Sequence, residues 1–163
     1  MTASEAADQV TEPVAPLTKH DFEALAQFRF GIRRYLRFSE ETVRKHGLTP
    51  QHYQLLLALK GHPGREWATV GELADRLQLR HHSVVELLNR AQRNGLIERT
   101  SAPDDRRTVR VFLSDTGEQI LDRLSALHRD QLHLMETALT VPTWVSTPTE
   151  INHAPGDEGD YRS

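Results

Sequence analysis

The hydrophobic period changes between Ala68 and Thr116, and this constrains the fold more than any other feature of the chain. Val70, Leu73, Ala74 and Leu77 recur at helical spacing, with Glu72, Asp75 and Arg76 opposite them, which predicts a short helix. Residues 78–80 break it. Residues 83–94 predict a second helix with Val84, Leu87, Leu88 and Ala91 as its buried stripe, and Gly95 is its expected left-handed stop. The period then drops to two. Residues 96–100 predict one strand and residues 108–113 another, with Val109, Val111 and Leu113 on one side. Between the strands lie Pro103, Asp104, Asp105, Arg106 and Arg107, too polar to bury. A short helix, a turn, a longer helix and a hairpin describe a helix-turn-helix with a wing. Basic residues at the wing tip suit phosphates or a minor groove.

Charge distribution supports the same reading. The whole chain carries a net charge of -3, which by itself argues against nucleic acid. From Arg76 to Arg110, however, eight arginines face four carboxylates, leaving this stretch at +4 and the remainder at -7. A basic, arginine-only segment in an acidic chain is the footprint expected of a groove binder. The planar guanidinium suits phosphate and guanine edges.

With these elements in place, the stretch from Leu48 to Leu139 resembles the multiple antibiotic resistance regulator (MarR) family. The family's wing motif is Asp, any residue, Arg, five more residues, Leu, then Thr or Ser. Asp105, Arg107, Leu113 and Ser114 match it, and Gly117 follows as it usually does in the family. The resemblance implies a mainly α fold with a small β-hairpin wing (α+β), a winged helix-turn-helix between long N- and C-terminal dimerisation helices. It implies a homodimer that binds a pseudo-palindromic operator on double-stranded DNA, most often as a repressor. It also implies release by a small aromatic carboxylate or phenolic effector. In the family the wing arginine reaches the minor groove and the wing aspartate orients it, roles that fall on Arg107 and Asp105.

The residues themselves distribute the DNA contacts. His81, His82, Ser83 and Glu86 lie where a recognition helix meets base edges. Arg80 and Arg90 suit phosphates, Asn89 shares their face, and Arg106 joins Arg107 at the wing tip. Glu86 has two readings: acceptance from a cytosine amino group, or an ion pair with Arg90 one turn on, and we favour the pair. For the effector, Phe30, Arg33, Arg34, His52 and Tyr53 are the candidate lining, with an arginine to clamp a carboxylate.

The rest of the chain frames this lobe. Residues 1–17 read as a flexible tail and residues 18–140 as the winged-helix domain. Within it, residues 18–47 and 115–140 are expected to dimerise, and residues 48–114 to hold the DNA-binding lobe. The first helix starts at Thr18, stops at Gly47, and carries Phe22, Leu25, Ala26, Ile32, Leu36 and Val43 as one stripe, with Phe28, Tyr35 and Phe38 off it. Two apolar faces on one helix predict two neighbours, one of them a second subunit. Thr49-Pro50 opens the next helix. Trp67 is expected to be a core or lid residue. Ser114 caps a last long helix that ends at Pro142, and residues 141–163 read as an irregular acidic tail containing Trp144, Val145 and Ile151.

Several classes are disfavoured. The chain has no cysteine, so disulfides, thiolate metal sites and thiol sensing are excluded. No run reaches the roughly 18 apolar residues of a membrane span, and the first residues do not read as a signal peptide, so a cytoplasmic location is expected. No phosphate loop, nucleophile elbow or catalytic carboxylate pair is recognisable, so no enzyme and no cofactor are expected. The nine histidines show no metal-binding spacing, and none is assigned to a metal. The alternatives are a winged-helix protein-interaction module without specific DNA binding, and a metal-responsive regulator.

Overall fold

The computed structural model describes residues 16–103, 105 and 107–143. The expectations for the tails at 1–15 and 144–163, and for Arg106, lie outside the described residues. Thr18 starts α1 (Lys19–Lys45) with a capping box: the Asp21 carboxylate accepts the Thr18 N–H at 2.7 Å while the Thr18 hydroxyl accepts the Asp21 N–H at 3.3 Å. The Thr18 hydroxyl also donates to the Asp21 carboxylate at 2.7 Å, and this bond first, then the Thr18 N–H, holds the Asp21 carboxyl below the usual carboxylate range. Gly47, at φ +79°, closes the helix, with Leu48 N–H reaching Val43 O at 3.1 Å. Thr49 and Pro50 then open α2 (Pro50–Lys60) as expected from the sequence. Leu55, Leu56 and Leu59 on α2 are completely buried and form the centre of the core.

Next come β1 (Trp67–Thr69), α3 (Val70–Leu77), α4 (His81–Arg93), β2 (Ile97–Ser101), β3 (Val109–Leu113) and α5 (Asp115–Leu134). A 3-10 turn, Glu136–Leu139, follows α5. The sheet is antiparallel in the order β1-β3-β2, with Val111 of β3 opposite both Ala68 and Arg99. The hairpin matches the predicted one to within a residue. The third strand was not anticipated, because three residues with no alternation leave no local signal. Among the described residues no helix is long and apolar enough to cross a membrane.

The structure ranks the two apolar faces of α1 and corrects the expected length of the last helix. The α1 face that meets the core carries Gly31, Thr42 and Val43, with Tyr35 and Phe38 packed edge-on to His128 of α5. Of the predicted stripe, Phe22 and Leu36 are exposed, as is Phe30 beside it. Val43 of the predicted stripe is fully buried, and Leu25 and Ile32 of that stripe are half-buried, as are the aromatic residues Phe28, Tyr35 and Phe38 read as off it. The last helix was expected to run unbroken to about residue 140, but α5 stops at Leu134 and the 3-10 turn folds back onto α1. A Cβ on Gly31 would overlap the carbonyl of Ala138, so only glycine permits this approach.

A second close approach joins the wing to α5. Gly95, at φ +68°, ends α4, and Leu96 N–H returns to Ala91 O at 3.0 Å. The Ser114 hydroxyl donates to Gly95 O at 2.5 Å and accepts the Gly117 N–H at 3.0 Å, while Ser114 N–H donates to Leu96 O at 3.1 Å. A Cβ on Gly117 would overlap the Leu96 carbonyl. Gly117→Ala is therefore expected to cost about 1–3 kcal/mol, from forced displacement of packed backbone. Gly71, with open space around it, supplies the control: Gly71→Ala should leave the denaturant midpoint unchanged or raised.

Candidate nucleic-acid interface

The turn between α3 and α4 is set by backbone geometry. Gln78 adopts a left-handed conformation at φ +53°, and Leu79 N–H reaches back to Ala74 O at 3.0 Å. Arg80 follows in extended conformation and does not cap α4 with its side chain. Val84, Leu88 and Ala91 are fully buried and Leu87 nearly so, which pins one side of α4 to the core. The opposite side presents His81, His82, Glu86, Asn89 and Arg90 to solvent, with Ser83 half-buried and Arg80 exposed just before them. The first turn of α4 contains no acidic residue to neutralise the positive end of the helix dipole.

The favoured pairing of Glu86 with Arg90 does not form. The Arg90 guanidinium instead crosses to α2 and approaches Gln51 Oε1 at 3.4 Å. Glu86 remains an exposed carboxylate on the outward face, which leaves acceptance from a base amino group as its surviving reading. Arg99 was not among the residues selected from the sequence. From β2 its Nε donates to Gln92 Oε1 at 2.6 Å and its Nη2 to Asn89 Oδ1 at 2.7 Å. This one side chain ties the wing to the outward face of α4. It also orients Asn89, because a guanidinium can only donate and so holds the amide oxygen, leaving the amide NH₂ to face outward chemistry.

At the wing tip Asp105 and Arg107 interact, but through the backbone. One Asp105 oxygen accepts the Arg107 N–H at 2.9 Å and the other accepts the Thr108 hydroxyl at 3.0 Å. The aspartate thus shapes the turn that projects Arg107, and does not pair with its guanidinium. Arg107 is exposed. Trp67 is neither core nor lid. Its ring is flanked by the guanidinium groups of Arg65 at 3.8 Å and Arg110 at 4.3 Å, and it meets Phe112 on β3. Arg65 also pairs with Glu72, whose carboxyl is held low first by the Thr69 N–H at the start of α3.

The five proposed effector residues do not converge. Phe30 and Arg33 are exposed on α1, with Arg34 lying 5.8 Å above the Phe30 ring. His52 is buried on α2 and lines a cleft with Thr49, Arg90, Arg93 and Asn94. Tyr53 lies on another wall of α2. It stacks on His128 at 4.5 Å and lines a cavity of about 460 Å³ with Tyr35, Leu57, Ser125, Arg129 and His133. Burial raises both tyrosine hydroxyl pKa values. The His128 ring is fully engaged, with Nδ1 2.6 Å from Leu124 O and Nε2 2.8 Å from the Ser39 hydroxyl. Among the described residues no three His, Asp or Glu side chains gather as a metal site.

Comparison with known proteins places this arrangement. The MarR family model matches residues 46–108. An uncharacterized HTH-type transcriptional regulator of Bacillus subtilis, YsmB, is 28% identical over 106 residues, covering 61% of this chain and 66% of its own. The HTH-type transcriptional repressor MdtR of the same organism is 32% identical over 78 residues, covering 48% of each chain. The chain therefore spans two thirds or less of the length of these relatives. The crystal structure of AbsC, a MarR family transcriptional regulator from Streptomyces coelicolor, superposes with a TM-score of 0.63 at 19% identity, covering 79% of this chain and 86% of that one. That likeness is one of fold.

The buried His52 makes the stability of the fold depend on pH. Burial first, and the nearby Arg90 charge second, lower its pKa below the ordinary 6.5. The unfolded chain therefore binds more protons than the folded one as pH falls below the ordinary value. His52 contributes its full stability above that value and loses it as pH drops towards the folded pKa. The melting temperature is expected to fall between about pH 7.5 and about pH 5.5, and to fall less in His52→Gln. Identical slopes for the two proteins would assign the acid sensitivity to other groups.

Proposed function

We propose that this chain is a member of the MarR family of winged-helix transcriptional regulators, a homodimeric, cytoplasmic repressor that binds a pseudo-palindromic operator and leaves it on binding a small aromatic or phenolic effector. The observation that carries this reading is the Arg99 bridge, which ties the wing to Asn89 and Gln92 of α4. In this reading His81, His82, Ser83 and Glu86 meet base edges and Asn89 offers its NH₂. Arg80, Arg90 and Arg106 take phosphates, and Arg107 enters the minor groove. Exposed Phe22, Phe30 and Leu36 on α1 and Leu127 and Leu134 on α5 supply the dimer surface.

The effector site moves from the five residues first considered to the cavity between Tyr35, Tyr53 and His128. Stacked and edge-on rings suit an aromatic ligand, and Arg129, which lines the cavity with Glu136 and pairs with Asp130 at 3.1 Å, would have to exchange that partner for the ligand's carboxylate or phenolate. The cavity lies where α2 meets the long helices. Filling it would reset the lobe against the dimer helices and so the spacing of the two α4 helices, which must match half-sites about one helical turn apart.

Selection from genomic fragments at two salt concentrations tests the proposal, using wild type and Arg107→Ala. One fragment should outcompete bulk DNA, with affinity falling as salt rises, and Arg107→Ala should cost about 1–3 kcal/mol on that fragment. If no fragment outcompetes bulk DNA and Arg107→Ala binds like wild type, the protein-interaction reading replaces this one.

A further inference from the structure

The cleft between the start of α2 and the end of α4 is a separate polar hollow, of which the proposed function uses only the rim residue Arg90. It encloses about 460 Å³ and is lined by Thr49, His52, Arg90, Arg93 and Asn94. No carboxylate is among these residues. Both arginines are held by neutral groups: Arg90 approaches Gln51 Oε1 at 3.4 Å and the Arg93 Nε donates to the backbone oxygen of Asn89 at 3.3 Å. Among the described residues neither guanidinium pairs directly with a carboxylate. The positive end of α2 adds to their charge, since Thr49 caps the helix and lines the cleft. His52 is 4% exposed, and among the described residues its Nε2 finds no hydrogen-bond partner. Buried polar nitrogens are almost always satisfied, so an orphan beside two such guanidinium groups points to an absent acceptor.

We propose that this cleft binds one oxyanion group, a phosphate or a carboxylate, with Arg90 and Arg93 supplying charge and His52 Nε2–H donating a hydrogen bond. Two sources share this chemistry. One is a free small anion. The other is a phosphodiester of bound DNA, which extends the footprint along α4 to α2 and rests on the DNA-binding reading above. The site is distinct from the aromatic cavity, which lies on the other wall of α2 around Tyr53.

The experiment follows the His52 imidazole resonances of the full chain by ¹⁵N–¹H NMR. Inorganic phosphate is added in one arm and a mixed-sequence DNA duplex in the other. Wild type is compared with Arg93→Gln and with Arg123→Gln, an exposed α5 arginine that controls for general charge. A free-anion site is expected to give a saturable His52 shift with phosphate, weakened about tenfold or more by Arg93→Gln and unchanged by Arg123→Gln. A phosphodiester site is expected to shift His52 with duplex only. In that case Arg93→Gln should also lower the slope of log affinity against log salt by about 0.9. If neither probe moves His52, or both variants weaken binding equally, the proposal is overturned. A phosphate response without any DNA binding would uphold the anion site and remove the DNA-binding reading.

Discussion

The chain turns on the junction where α4 ends. Gly95 takes the left-handed conformation that stops the helix, and its carbonyl and that of Leu96 are both claimed by Ser114. Ser114 is at once the end of the wing and the cap of α5. Gly117 must lack a side chain because the Leu96 carbonyl occupies the space. Three elements thus meet within a few ångströms through backbone groups, which leaves little slack between them. The outward face of α4 inherits its rigidity from this junction. So does the wing, and the Arg99 bridge adds a second attachment further along the hairpin.

The same junction couples the winged-helix lobe to the long helices. α5 cannot rotate at its start without pulling on Leu96, and its far end packs through His128 against Tyr53 of α2 and against Tyr35, Phe38 and Ser39 of α1. His128 is a buried polar group with both nitrogens satisfied, whereas His52, one residue before Tyr53, is buried with one nitrogen unmet. The first is a structural tie. The second carries the nitrogen that the proposed oxyanion would meet. α2 is the pillar between them: its leucines fill the core while its two other walls face the aromatic cavity and the basic cleft.

Local physics made most of the fold legible in advance. Thr18 with Asp21, Thr49 with Pro50, Ser114, and the glycines at 47 and 95 mark helix ends through contacts made within five residues, so the sequence alone announces them. The wing motif located Asp105 and Arg107 in the same way. What stayed hidden depends on partners distant in sequence. β1 exists only because β3 offers an edge. The inward face of α1 is decided by His128, almost a hundred residues away, since periodicity shows two apolar faces and cannot rank them. Arg99 reads as one more surface arginine until the fold sets Asn89 and Gln92 beside it. The candidate effector residues on α1 and α2 point to three different environments, because sequence proximity within a helix says nothing about which wall a residue lines. Glu86 and Arg90 had the right spacing for a pair, but Gln51 on α2 lies close enough to draw the guanidinium away.

The central claim is that α4 and the wing engage one duplex together, the helix in the major groove and Arg107 in the adjacent minor groove. Dimethyl sulfate protection reports both at once, because it modifies guanine N7 in the major groove and adenine N3 in the minor groove. On a duplex recovered by selection, the account requires guanine protection at two half-sites about one helical turn apart, flanked by adenine protections that Arg107→Ala abolishes while the guanine protections persist. Guanine protection without any adenine protection, or uniform weak protection along the duplex, would contradict it.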